Sequence, residues 1–112
     1  MKKIIFAALF LVSGVSDAAT TYTKEQLNDM ASSGTYPEQE AAITKSAETM
    51  SFEQCKSGAL SMYSQVAANY PARVVVDTGL LYMVKLWTND GAITVSCSDP
   101  DKKRVITQAN YQ

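Results

Sequence analysis

Apolar side chains recur at intervals of three and four between Phe52 and Tyr70, and at intervals of two from Arg73 onward. This change of period divides the chain into a helical part and a strand-forming part. The stripe Phe52, Cys55, Ala59, Met62, Tyr63, Val66, Ala67 and Tyr70 predicts a core-facing helix over about 52–69, opened by Ser51 with Gln54 as a capping box and closed before Pro71. Gly58 beside the stripe offers a point of close approach to a sheet.

Two shorter helices are expected upstream. Thr23 with Gln26 forms a capping box, Leu27, Met30 and Ala31 supply a small apolar face, and Gly34 marks the stop. Thr35-Tyr36-Pro37-Glu38-Gln39-Glu40 then has the signature of a second start, with Pro37 at the first helical position and carboxylates in the first turn. Ala41, Ala42, Ile43, Ala47 and Met50 continue that run, with a break expected near residue 50.

In the strand-forming part, Leu80 to Cys97 is expected to be a hairpin about Asn89-Asp90-Gly91, where Gly91 can adopt a positive φ. A two-residue turn at Asp90-Gly91 sets Leu86 opposite Val95 and Val84 opposite Cys97. Lys85 and Trp87 then share the other face with Met83. A three-residue turn would exchange the faces. Val74-Val75-Val76 forms a preceding strand, with Gly79 as turn or bulge, and a turn at Asp99-Pro100-Asp101-Lys102 leads into a closing strand from Arg104 to Tyr111. The expected fold is α+β: two or three N-terminal helices packed on a C-terminal antiparallel meander of three to four strands.

The N-terminus alters the setting of this fold. Met1-Lys2-Lys3 followed by Ile4 to Val12 is a charged n-region and an apolar h-region too short to span a bilayer, and small residues at Ser16 and Ala18 offer a peptidase site. Residues 1–18 are expected to be a cleaved signal peptide, and 19–112 one small periplasmic domain. The chain has ten basic and eleven acidic residues; removing Lys2, Lys3 and Asp17 leaves eight and ten. That scattered, slightly acidic balance argues against nucleic acid as a partner. No later segment is apolar enough to keep the processed chain in a membrane.

An exported domain this small needs reinforcement, and its cysteines can supply it. Cys55 lies on the long helix and Cys97 ends the hairpin, so a bond between them staples helix to strand. A bond to another chain is the alternative if Cys97 points away from the helix. The pair lacks C-x-x-C spacing.

Chemistry is restricted by the absence of histidine, which removes the usual general base and the usual metal ligand. The glutamates are spread along predicted helices, and Asp99-Pro100-Asp101 lacks the alternating ligands of a calcium loop. No catalytic residue, metal ligand or cofactor is assigned. The residues that resist a purely structural explanation are Met83, Lys85 and Trp87, on a sheet face that two layers would leave open. Either they contact a partner, with Trp87 as anchor, or the N-terminal segment folds over them.

The patterns Leu27…Met30…Ser33-Gly34…Tyr36-Pro37, Met50-Ser51-Phe52…Cys55, Tyr70-Pro71 and Trp87-Thr88-Asn89-Asp90…Cys97-Ser98 resemble a group of uncharacterised small exported proteins of Gram-negative bacteria. Such proteins are often carried near conjugation or type IV secretion genes. The resemblance brings no activity or catalytic residue. The function expected is that of a non-catalytic periplasmic binding or accessory protein with a protein partner in the cell envelope, with a conjugation or secretion apparatus as the candidate setting. An inhibitor or immunity protein for an envelope-acting enzyme is the rival reading, and a small carboxylate-based hydrolase comes third.

Overall fold

A computed structural model describes residues 20–112. The signal segment expected over residues 1–18 lies outside the described residues. Helix α1 spans Lys24–Ser32, and its capping box is formed in both directions: Gln26 N donates to Thr23 Oγ1 at 3.1 Å and Thr23 N donates to Gln26 Oε1 at 2.8 Å. Past its end Gly34 takes φ +75°, the left-handed conformation that glycine adopts without penalty.

The second helix expected from Pro37 does not form, and this overturns the arrangement of N-terminal helices on a three- to four-stranded meander. Ile43–Thr49 is instead strand β1, which joins the sheet as a fifth member. Its composition explains the outcome: Ile43, Thr44 and Thr49 are β-branched and favour extended backbone. The hydrogen-bond partner that extended backbone needs is strand β5, far away in sequence.

Helix α2 covers Phe52–Ala67, with Ser51 as N-cap receiving Gln54 N at 3.1 Å. Strands β2 (Ala72–Asp77), β3 (Leu81–Trp87), β4 (Gly91–Ser98) and β5 (Lys103–Asn110) follow. The sheet is antiparallel throughout, in the order β1-β5-β4-β3-β2. The α+β class is retained, but a strand precedes the long helix and pairs with the last strand of the chain.

The β3–β4 hairpin turns at Asn89-Asp90, one residue earlier than expected. Val84 therefore faces Val95, Leu86 faces Ile93 and Tyr82 faces Cys97. A displacement of two in the pairing preserves alternation, so the side chains keep the faces assigned to them. Gly91 has no positive φ; its role is proximity, because a Cβ there would lie 2.6 Å from the carbonyl oxygen of Ala109 on β5. Gly58, by contrast, has open space around it and mediates no close contact with the sheet.

The centre of one face of the sheet is covered by α2. Cys55 and Ala59 of the helix pack with Tyr82, Val84, Leu86, Val95 and Cys97 in a core flanked by Phe52, Met62, Tyr63, Val66 and Ile106. Removing this apolar surface from water is the main favourable term for so small a domain. On the opposite face a second cluster of Leu27, Trp87, Ala92 and Tyr111, bordered by Tyr22, Tyr36 and Tyr70, covers one end of the sheet. No helix among the described residues is long and apolar enough to cross a membrane.

Candidate interaction face

The disulfide fixes which face is inner. Cys55 on α2 and Cys97 on β4 are bonded, with Cα atoms 5.7 Å apart, and both side chains are fully buried. Residues in register with Cys97, such as Tyr82 on β3 and Arg104 on β5, share the inner face. Residues one step along each strand point outward.

Trp87 is one of these outward positions, yet its indole is only 4 % exposed. Tyr36, held beside buried Pro37, stacks on it with ring centroids 4.2 Å apart. The open tryptophan expected from a two-layer fold is therefore covered by the N-terminal segment, and Trp87 belongs to the core. Neighbouring hydrogen bonds fix the same region: Tyr70 Oη donates to Asn89 Oδ1 at 2.6 Å, Asn89 Nδ2 donates to Tyr22 O at 2.7 Å, and Tyr111 Oη donates to Thr88 O at 2.6 Å.

Beyond this cover the outer face continues, and Met83 and Lys85 lie on it, each half-buried by its sheet neighbours. Strand register arranges the face in rows. Arg73, Lys85, Thr94, Thr107 and Thr44 are successive cross-strand partners from β2 to β1. Val76, Met83, Ser96, Val105 and Ala47 form the next row in the same way. The first row is cationic and hydroxylic, the second mostly apolar. Neither contains a carboxylate, and no described helix packs over them.

Electrostatics set this face apart from the rest of the molecule. The ion pairs among described residues are Lys56–Asp77 at 3.4 Å, Lys102–Asp99 at 2.7 Å and Arg104–Glu48 at 3.1 Å. Each is formed away from the outer rows. Arg73 and Lys85 stand directly opposite each other with no acidic partner among the described residues, and the Lys85 ammonium lies 5.4 Å from the Trp87 ring centroid. That cation–π contact ties the exposed row to the buried indole beside it.

A concavity of about 660 Å³ opens on the inner side between α2 and β5, lined by Met50, Glu53, Gln54, Cys55, Ser57, Gly58 and Arg104. Arg104 is engaged by Glu48, and Glu53 adds a further carboxylate, so the groove has no free cation to hold an anionic ligand. Among the described residues no group of Cys, Asp and Glu is placed to hold a metal ion.

Met83 and Lys85 were accessible to sequence reasoning through the alternation of β3. Arg73 and Thr94 could have been added by extending that alternation across β2 and β4. Thr44 could not, because its strand resembled a helix. Comparison with protein families, with characterised proteins and with solved structures yields no match.

Proposed function

We propose that this chain is an exported, non-catalytic binding module whose uncovered sheet face, centred on Met83 and Lys85, engages a protein partner in the cell envelope. The observation that carries the reading is the asymmetry of the sheet. The centre of one face is covered by α2, while most of the other presents ordered rows of side chains with nothing described above them. Rigid strands hold those side chains at fixed spacing, and a pre-organised surface loses little conformational entropy when it binds. A buried disulfide supports folding in an oxidising compartment, and the periplasm is the compartment proposed. In that setting the role is accessory, serving an envelope assembly such as a conjugation or secretion apparatus.

The test is site-specific photo-crosslinking in cells that export the protein. A photoreactive residue replacing Met83 should give a discrete adduct with another protein, whereas one replacing Leu60, exposed on α2, should not. Adducts from Leu60 alone would move the interface to the helix side and refute the assignment.

A further inference from the structure

The row structure of the outer face specifies the chemistry of what it would bind. Arg73 and Lys85 are directly opposed like charges on neighbouring strands, an arrangement that disfavours pairing of β2 with β3. No carboxylate in the adjacent rows relieves it, although the processed chain as a whole is more acidic than basic. Lys103, on the following outward row between Ser98 and Thr49, extends the same sign toward β5 and β1. With no carboxylate set against them in these rows, Arg73 and Lys85 are complementary to an anionic ligand.

The neighbouring row narrows the choice. Val76, Met83 and Val105 place aliphatic surface alongside the cations, so the complementary ligand carries acidic groups on one flank and apolar groups on the next. Each row crosses four inter-strand gaps, roughly 19 Å at the usual strand spacing. A helix of about 13 residues has that length, and its two flanks lie far enough apart to serve adjacent rows. A bilayer surface fits less well, since interfacial proteins present tryptophan or tyrosine to the headgroups and here Trp87 is roofed by Tyr36.

We infer that the outer sheet face docks an acidic amphipathic segment of a partner protein, with carboxylates on the row Arg73–Lys85–Thr94 and apolar side chains on the row Val76–Met83–Val105. The inference rests on the proposed binding function and names the partner's chemistry.

The experiment uses the oxidised, processed protein, isotope-labelled for amide NMR, with three probes: a helical peptide with glutamates flanking a leucine stripe, its lysine counterpart, and phosphatidylglycerol vesicles. The glutamate peptide should shift amides of Arg73, Val76, Met83, Lys85 and Thr94, weaken as salt is raised, and lose at least tenfold in affinity in Arg73→Glu/Lys85→Glu, which should gain affinity for the lysine peptide. Equal binding of both peptides at this face would leave the binding surface standing and overturn its acidic preference. Shifts confined to other regions, or none, would overturn both. Vesicle binding through these residues without peptide binding would replace the partner segment with a membrane surface and overturn the inference. Should the double variant fail to fold, the wild-type comparison of the two peptides decides.

Discussion

The ring of Tyr36 lies over the indole of Trp87, with planes inclined by 21°. Tyr36 precedes the first sheet strand and Trp87 ends the third, so the stack clasps the N-terminal segment onto the sheet. Trp87→Ala should therefore destabilise the protein by about 3–5 kcal/mol, measured by urea unfolding. The indole Nε1 is buried without a hydrogen-bond partner, and Trp87→Phe, which removes that unpaired donor, should cost much less. Because the chain has one tryptophan, blue-shifted emission and weak quenching by iodide would report its burial directly.

Bonding of Cys55 to Cys97 closes a long loop, with a sequence separation of 42. By the loop-entropy relation this contributes about 4 kcal/mol. Mass spectrometry without reductant should show no free thiol. The double variant Cys55→Ala/Cys97→Ala should unfold at clearly lower urea concentration, and an unchanged midpoint would show that the core alone sustains the fold.

Burial, reinforced by the nearby Tyr22 and Asp90, holds the Tyr111 phenol well above tyrosine's usual range. The folded state thus favours the neutral ring that donates to Thr88 O. Its stabilisation is fully present below the unfolded value of about 10 and is lost as pH rises above it. Tyr82, raised mainly by burial and then by Asp77, acts in the same direction. Stability should be flat around neutrality with respect to these groups and decline in alkali, and Tyr111→Phe should flatten that decline in pH-dependent unfolding.

Two glycines should respond oppositely to alanine. Gly58→Ala, in a helix with open space at the site, should stabilise by about 0.5–1 kcal/mol. Gly91→Ala would drive a methyl into Ala109 O and should destabilise the protein by roughly 1–3 kcal/mol through displacement of β4 from β5. Thermal melts of the two variants should bracket the wild type.

Legibility in the sequence followed the range of the interactions. Thr23 with Gln26 and Ser51 with Gln54 announce helix starts through contacts three residues apart, and both helices begin where those pairs place them. The faces of Val84, Leu86, Val95 and Cys97 were legible because alternation survives a displacement of two, although the turn itself was misplaced. Strand β1 was hidden. It lies at the sheet edge with nearly every residue exposed, so it lacks the alternating apolar signal of a half-buried strand, while Pro37 and the glutamates after it imitate a helix start. Trp87 was legible as an outward position, but its cover depends on Tyr36, a contact between distant segments that no local pattern encodes. The candidate face was half visible for the same reason: Met83 and Lys85 could be read from β3, whereas the rows require the register of all five strands.

Strand β5 is last in sequence but lies between β1 and β4 in space. Pairing such as Ile43 with Gln108 therefore has to wait until nearly all of the chain has been delivered. During synthesis β1 emerges early and stays without its neighbour, while α2 and the β2–β3–β4 succession can assemble from local contacts. Assembly order thus departs from chain order, and a chain lacking β5 would leave β1 without a strand to pair with.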